Sequence, residues 1–338
     1  MKMLTALLIT CFLLAACSTI GEPQKQQEKK AAVQADPSIA AAIKYSAYME
    51  LDLFIASKLN ETESFYFRNF GAGEELDVIG KSVAYTGIFL KINNYALKGI
   101  EELAKSEPRI EKVDALAAEL APNLNELIGL YGEADTYYLM KNYADDDYSK
   151  GKTLHQQILT LHKETAPLLA EFSDALGEQL VPWLKTTMES LDSNHDVEAA
   201  AIQTLLSALA LDSLLAKQGQ GAGIDQLDAA QVKTLYDQLD EHIKALLHLT
   251  KDAELLEKEK LDEWLVGDNK LMLAVIEGKA AATDINQSLL QKKKASGTGN
   301  KDKDDIAKAT AEIRKYRISV KKMFTAYMEY FNKADKRQ

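Results

Sequence analysis

The sequence predicts an all-α protein: an elongated antiparallel bundle of about seven or eight helices whose last helix is coiled-coil-like. Three observations lead to this prediction. Apolar residues recur at steps of three and four along most of the chain, as on the buried face of an amphipathic helix. The sustained apolar–polar alternation of a half-buried strand is missing. Short polar breaks separate the periodic segments, which favours antiparallel neighbours.

Residues 1–16 are typical of a secretory signal peptide. Lys2 precedes an uncharged run, Met3–Ala16, that is shorter than the roughly 20 apolar residues a membrane span requires. The run leads into Leu14-Ala15-Ala16-Cys17, which resembles a bacterial lipobox. The resemblance implies that Cys17 carries acyl chains and anchors the protein to a membrane. Ser18, by the same resemblance, favours the outer membrane of the cell envelope, at its periplasmic face or at the cell surface.

Residues 17–37 predict the lipidated cysteine and a flexible tether. Ser18–Pro37 is polar and almost devoid of large apolar residues, so it cannot bury a core of its own. Residues 38–335 form the predicted helical domain. A division into two helical halves near Asp192 stays open, because no shift in composition separates the halves.

Apolar stripes mark the helices in chain order. They consist of Tyr48, Leu51, Ile55 and Leu59; of Val113, Leu116, Leu120, Leu124, Leu127 and Tyr131; of Leu154, Ile158 and Leu161; and of Val232, Leu235, Leu239, Ile243 and Leu246. The last and most regular stripe consists of Ile306, Ala309, Ile313, Tyr316, Val320, Met323, Tyr327 and Tyr330. Because its mean period is close to 3.5 residues, this stripe predicts a coiled-coil-like seam.

Polar, glycine-rich or proline-containing segments predict the breaks between helices. They are Asn69–Glu75, the residues around Pro108, Tyr143–Gln157, Asp192–Asp196, Lys217–Gly223 and Lys292–Asp305. Three prolines, Pro122, Pro167 and Pro182, lie inside apolar stripes, so we expect kinks or interruptions there. The aromatic segment Phe65–Phe70 favours a core plug at a helix end over an exposed contact site.

Cysteine usage and charge exclude several classes of function. Of the two cysteines, Cys11 leaves with the signal peptide and Cys17 carries lipid, which leaves no thiol for a disulfide, a nucleophile or a metal. The net charge of −11 disfavours nucleic acid and anionic membrane surfaces as partners.

The stretch Tyr143–Gln157, "YADDDYSKGKTLHQQ", concentrates the chemistry-bearing side chains. Gly151-Lys152-Thr153 is not the end of a phosphate loop, because Asp146 stands where that loop requires its first glycine. A calcium loop beginning at Asp145 would have Lys150 in place of its obligatory glycine. An S-x-x-K match lacks the strand that accompanies it in penicillin-recognising enzymes. Acidic caps at the start of a helix explain the stretch better.

The histidines do not form a catalytic or metal-binding pattern. His155 and His162 are seven residues apart, about 10.5 Å along a helix axis, so the two side chains cannot ligate one zinc ion. Neither HExxH nor the paired ExxH motifs of di-iron bundles occur in the sequence. We therefore predict no metal, no cofactor and no catalytic residues, and we expect that the protein is not an enzyme.

A longer signature surrounds the same stretch. It consists of Tyr137-Tyr138, Tyr143, Asp145-Asp146, Lys150-Gly151-Lys152 and Leu154-His155. Together with the lipobox, the tether and Tyr48-Met49-Glu50, these residues resemble the YiiG-like family of bacterial lipoproteins. The resemblance is tight over 137–155, looser from about residue 40 to 290, and absent in the last helix. It implies a helical envelope lipoprotein of unassigned function, without catalytic residues to carry over.

Two roles stay open for the signature residues. In the favoured structural role, the tyrosine rings pack at a helix end, Asp145 and Asp146 accept hydrogen bonds, Lys150 and Lys152 balance the charge, and Gly151 permits close helix approach. The other role is contact with a ligand or partner.

The function that we favour is a non-catalytic structural or interaction role with a protein partner in the envelope. The alternative is a periplasmic lipoprotein that binds a small molecule or divalent cation through Asp145, Asp146, Lys150 and His155.

Overall fold

Helices account for nearly all of the chain that the computed structural model describes, namely residues 37–78, 94–219, 226–261, 270–295 and 303–334. In chain order they are α1 (Pro37–Phe54), a π-helix (Ile55–Leu59), α2 (Asn60–Phe70), a 3₁₀ turn (Asn94–Leu97), α3 (Ile100–Lys105), α4 (Glu111–Leu139), α5 (Tyr143–Asp146), α6 (Ser149–Ser190), α7 (Asp196–Gly219), α8 (Ala229–Leu249), α9 (Ala253–Lys258), α10 (Lys270–Ala295) and α11 (Lys303–Ala334). These ranges contain no β-strand, so the predicted all-α class is confirmed. The predicted signal peptide, Cys17 and the tether up to Asp36 lie outside the described residues and stay predictions.

The first long helical segment joins α1, the π-helix and α2 without a break. Its predicted stripe is largely buried, since Tyr48, Leu51 and Leu59 are fully enclosed and Ile55 packs against the core. The segment ends at Gly71, which adopts a φ of 85° that favours glycine and whose amide donates to the Phe67 carbonyl. The aromatic segment Phe65–Phe70, which precedes Gly71, packs into the core, because Tyr66 and Phe70 are buried. This agrees with the favoured prediction of a core plug at a helix end.

Of the kinks or interruptions expected at the three prolines, the interruptions are wrong, and the kinks stay a prediction. Helix α4 continues through Pro122, and the 42-residue helix α6 continues through both Pro167 and Pro182. Each proline removes one backbone hydrogen bond, which a helix with a buried apolar face can tolerate.

Helix α6 runs antiparallel to the α1–α2 segment. Tyr45 packs on Trp183 near one end of the pair, with ring centroids 5.0 Å apart, and the Tyr66 hydroxyl contacts His155 near the other end. Helix α4 also runs antiparallel to α6, because the tyrosines at its end contact the first turn of α6. These three helices enclose the aromatic part of the core and position the signature residues.

Helices α10 and α11 form a second antiparallel pair. Lys270 bonds to Glu329 at 2.9 Å at one end, Lys322 bonds to Glu277 at 2.9 Å near the middle, and Ser288 lies 3.2 Å from Glu312 towards the other end. The predicted seam of α11 is buried over Ile313, Tyr316, Val320, Met323 and Tyr327. The side chains of Ile306, Ala309 and Tyr330 lie outside the described part of the chain. Phe324, Ala326 and Met328 are buried as well, because α11 also contacts α7.

Helix α7 is long and apolar enough to pass for a membrane span by length and composition. In the structure it lies inside the bundle, where Ile202, Leu205 and Leu211 are buried. The Tyr316 hydroxyl donates to the Ala208 carbonyl at 3.0 Å and ties α7 to α11. The described residues from Ser38 onward pack into one compact unit, and a short turn at residues 191–195 joins α6 to α7.

Candidate functional site

The signature residues lie at the reversal between α4 and α6. Only nine residues separate the two helices, and the one-turn helix α5 occupies four of them. Lys141, Asp147 and Tyr148 all have positive φ angles, of 58°, 49° and 62°. Non-glycine residues rarely adopt this conformation, so the surrounding contacts must hold the turn in place.

The carboxylate of Asp146 supplies the central contacts of the turn. The Tyr137 hydroxyl donates to Asp146 Oδ1 at 2.6 Å, and the Lys150 amide donates to Oδ2 at 3.0 Å. The Tyr137 hydrogen bond, reinforced by bonds from the amides of Tyr148, Ser149 and Lys150, holds the pKa of Asp146 below its usual value. Asp146 therefore ties the end of α4 to the first turn of α6, as a helix-capping residue does.

Stacked aromatic rings pack around this turn. Tyr138 stacks on Phe70 with centroids 4.2 Å apart, and Tyr143 stacks on Tyr148 at 4.9 Å. Gly151 is buried beneath the rings, and a Cβ atom there would lie 2.9 Å from the Tyr138 hydroxyl oxygen. A Cβ atom would therefore displace the Tyr138 hydroxyl, and glycine permits the close approach of α6 to the end of α4.

His155 lies in the core, one turn of α6 beyond Gly151, and is fully buried. Its Nε2 lies 2.9 Å from the Gly73 carbonyl oxygen and its Nδ1 lies 3.0 Å from the Tyr66 hydroxyl oxygen. Because a carbonyl can only accept, Nε2 donates to Gly73, and in the neutral imidazole Nδ1 accepts from the Tyr66 hydroxyl. Both ring nitrogens are therefore used within the fold, and the structure does not bring His155 together with Asp145 or Lys150.

Three of the signature residues, Asp145, Lys150 and Lys152, face solvent, whereas Leu154 is buried in the core. Asp145 and Lys152 are exposed, and the exposed Lys150 lies 3.7 Å from Glu133 in a surface ion pair. Two neighbours that the sequence reasoning did not select are exposed apolar residues, Leu139 at 53% and Met140 at 68%. The available signal was that both directly follow the Tyr137-Tyr138 pair, at the end of the apolar stripe.

Among the described residues, no group of three or more histidine, cysteine, aspartate or glutamate side chains is placed to hold a metal ion. The signature carboxylates instead divide between two roles. Asp146 is committed to Tyr137 and to backbone amides, whereas Asp145 faces solvent. The geometry thus makes the turn a rigid, solvent-facing tip of the α4–α6 hairpin.

Comparison with known proteins agrees with the signature. The sequence matches the family described as "Protein of unknown function (DUF3829)" over residues 40–317. The chain belongs to the DUF3829 family. This confirms the expected YiiG-like family, and it corrects the expected extent, because the match reaches into α11, where no resemblance was anticipated.

One curated relative is "Uncharacterized protein YiiG" of Escherichia coli (strain K12). It is 25% identical over 148 residues, which are 43% of this chain and 42% of that protein. The match therefore covers less than half of the relative's length. No solved structure matches this chain.

A second polar cluster of this DUF3829 protein was missed by the sequence reasoning altogether. Lys44 of α1 is 1% exposed, and its ammonium donates to the carbonyls of Ser106 and Pro108 at 2.7 and 2.9 Å. The same ammonium lies 2.9 Å from a carboxylate oxygen of Asp114, which is also 1% exposed. The cluster fixes the α3–α4 loop against α1.

The carboxylate of Asp114 is satisfied from several sides. It accepts from the Tyr48 hydroxyl at 2.6 Å, from the Ile110 amide at 2.8 Å and from Arg109 Nε at 3.0 Å. Burial alone would raise the pKa of Asp114, but the hydrogen bonds from Tyr48, Lys44 and Ile110 outweigh it and hold the pKa below its usual value. With every donor of Lys44 engaged, this cluster has a structural role.

Proposed function

We propose that this DUF3829 protein is a lipoprotein of the cell envelope, anchored to the outer membrane through Cys17, with a non-catalytic role in protein interaction. The Leu14–Cys17 lipobox supports the anchor, because a cysteine after a short apolar run and small residues is the acylation signal it resembles. Ser18 supports outer-membrane sorting by the same resemblance.

The rigid tip of the α4–α6 hairpin carries the interaction role. Asp146, Gly151 and the stacked tyrosines fix the tip from within, so little conformational entropy would be lost when a partner binds. Leu139 and Met140 are exposed on this fixed backbone. An adjacent apolar pair with charged neighbours, including a polarisable methionine, suits contact with another protein.

The anchor is tested by metabolic labelling with an alkyne fatty acid in a diderm host. We expect the native chain to incorporate the label and the Cys17→Ala chain to incorporate none, because the acyl chains attach to that cysteine. Separation of inner and outer membranes on a density gradient then locates the labelled protein. An unlabelled native chain, or labelling that survives in Cys17→Ala, would contradict lipid anchoring.

The interaction role is tested by crosslinking intact envelopes and capturing the protein. We expect a defined partner band with the native chain and a loss of at least about tenfold with Leu139→Ser/Met140→Ser, because the apolar contact is removed. The matched control is Leu273→Ser/Ile276→Ser, which removes an equally exposed apolar pair, 58% and 55%, on α10. A role for the tip would be contradicted if Leu139→Ser/Met140→Ser captured as much partner as the native chain, or if only Leu273→Ser/Ile276→Ser lost the partner. If the native chain captured no partner, the interaction role itself would be contradicted.

A further inference from the structure

A cavity of about 410 Å³ lies between the π-helix, α6, α7 and α11, away from the hairpin tip. Its apolar walls comprise Ile55, Leu59, Leu169, Leu215, Ile313 and Ile318. The volume falls within the range of about 300–1,000 Å³ that is usual for small-ligand sites. Neither the signature residues nor the proposed interaction role accounts for this cavity.

The π-helix forms one wall of the cavity. Ile55, Ala56, Leu59 and Asn60 line it, and the Asn60 amide bonds back to the Ile55 carbonyl, five residues earlier. A π-turn inside an α-helix is rare and is found frequently at functional sites. Its position on the cavity wall is therefore a second, independent indication of a binding site.

Most charged groups of the cavity have partners within the protein. Lys321 is 6% exposed and bonds to the Asp52 carboxylate and to the Ser173 hydroxyl. Arg317 is paired with Asp212, with Nε 3.2 Å from the carboxylate oxygen. Within each pair the opposite charges neutralise each other, so neither pair leaves a net charge for a ligand to compensate.

Glu63 of α2 lines the cavity and accepts from His162 Nδ1 at 2.9 Å. This hydrogen bond raises the pKa of His162 and favours its protonated form beside the carboxylate. Asp174 lies at the rim and is exposed to solvent, where water screens its charge.

Arg314 is the exception among these charged residues. It lines the cavity, its Nε is buried, and this nitrogen has no hydrogen-bond partner in the described part of the chain. Arginine stays charged at all physiological pH values, and a buried donor without an acceptor is costly. An anionic group inside the cavity would supply the missing acceptor.

The cavity also continues into a neighbouring groove between α6 and α7. The groove has a volume of about 590 Å³, shares Ser173, Asp174, Ala216 and Arg317 with the cavity, and is lined further along by Val181, Leu206 and Leu209. The groove is also lined by Glu178, Lys185 and Lys217, which are exposed to solvent. The apolar part of the lining extends beyond the space that a compact ligand would fill. An elongated apolar body fits this shape.

We propose that the cavity binds an amphiphilic anion, whose carboxylate or phosphate head pairs with Arg314 and whose apolar chain lies along the cavity and the adjoining groove. The planar guanidinium matches both head groups, because each offers two oxygens to its parallel N–H donors. Burial of the chain against the apolar walls supplies affinity in proportion to the area removed from water. This site is separate from the hairpin tip and does not depend on the interaction role.

The test is photolabelling of the full chain in phospholipid nanodiscs with a diazirine derivative of decanoate, read by mass spectrometry of the labelled peptides. We expect saturable labelling of peptides from α6, α7 and α11. Arg314→Gln should weaken labelling about tenfold to hundredfold, because a charge-assisted hydrogen bond is lost. Arg314→Lys should weaken labelling less than Arg314→Gln, because lysine keeps the positive charge but cannot form the paired N–H bonds of the guanidinium. The matched control, Arg68→Gln, removes an exposed arginine on α2 and should leave the labelling unchanged.

Ala170→Phe provides a second variant on a different helix. Ala170 is exposed at the cavity edge, so phenylalanine should fill the entrance without disturbing the core, and labelling should fall. Competition experiments compare the two head groups. Decanoate and decyl phosphate should both displace the probe, and the compound that displaces it at the lower concentration indicates whether the site prefers a carboxylate or a phosphate head. Equal labelling of the native, Arg314→Gln and Ala170→Phe chains, or displacement by decyltrimethylammonium as effective as by decanoate, would overturn the proposal.

Discussion

Replacing Asp114 with alanine is expected to lower the free energy of unfolding by about 3–5 kcal/mol, because it leaves the buried ammonium of Lys44 without its counter-ion. The Tyr48 hydroxyl and the Ile110 amide lose their acceptor in the same step. Since a domain is stable by only about 5–15 kcal/mol, this loss is a large fraction of the total. Chemical denaturation followed by circular dichroism measures it.

The dependence of this loss on pH identifies its electrostatic origin. The native fold holds the pKa of Asp114 below 3.8, so the stabilisation from the ionised carboxylate is fully present above that pH and is lost as the pH falls through the folded-state pKa. The difference between the native and Asp114→Ala chains should therefore be constant from pH 5 to pH 7, and it should narrow below about pH 4.

An exposed ion pair supplies the control for the Asp114 experiment. Asp237 lies 2.6 Å from Lys233 with both side chains more than half exposed, so Asp237→Ala should cost less than about 1 kcal/mol. If Asp114→Ala costs no more than Asp237→Ala, the buried cluster does not hold the α3–α4 loop.

Local patterns in the sequence predicted the fold because helices are local structures. The Tyr48-to-Leu59 stripe follows the helical period, and the structure encloses most of that stripe in the core. The extra π-turn residue at Ile55–Leu59 leaves almost no trace in such a pattern, because one inserted residue shifts the stripe by only part of a turn. The sequence also left open whether α4 continues through Pro122, since burial of the surrounding face decides it.

Among the signature residues, too, contacts between residues close in the sequence could be predicted, and contacts between distant residues could not. The bond from Tyr137 to Asp146 spans nine residues, so a turn-capping role for the aspartate was accessible from the sequence. Lys44 and Asp114 are 70 residues apart, and His155 and Gly73 are 82 residues apart. Contacts over such separations depend on how whole helices pack, which neither periodicity nor motif spacing specifies.

The second large effect that we expect is at His155. His155→Ala should cost about 2–4 kcal/mol, because it opens a cavity in the core and removes the acceptor of the buried Tyr66 hydroxyl. Since His155 was a candidate ligand residue, the experiment separates the two roles: a residue kept for a ligand would be dispensable for folding. Urea denaturation of the native and variant chains gives the comparison.

Two further variants make the His155 experiment decisive. His248 is exposed on α8, so His248→Ala should change stability by no more than about 0.5 kcal/mol. In Tyr66→Phe/His155→Ala the hydroxyl is gone together with its acceptor, so the double variant should cost less than the sum of the single ones. Strict additivity would show that the hydrogen bond contributes nothing. A His155→Ala chain as stable as His248→Ala would return His155 to the candidate binding residues, because the fold would then give no reason for a buried imidazole at that position.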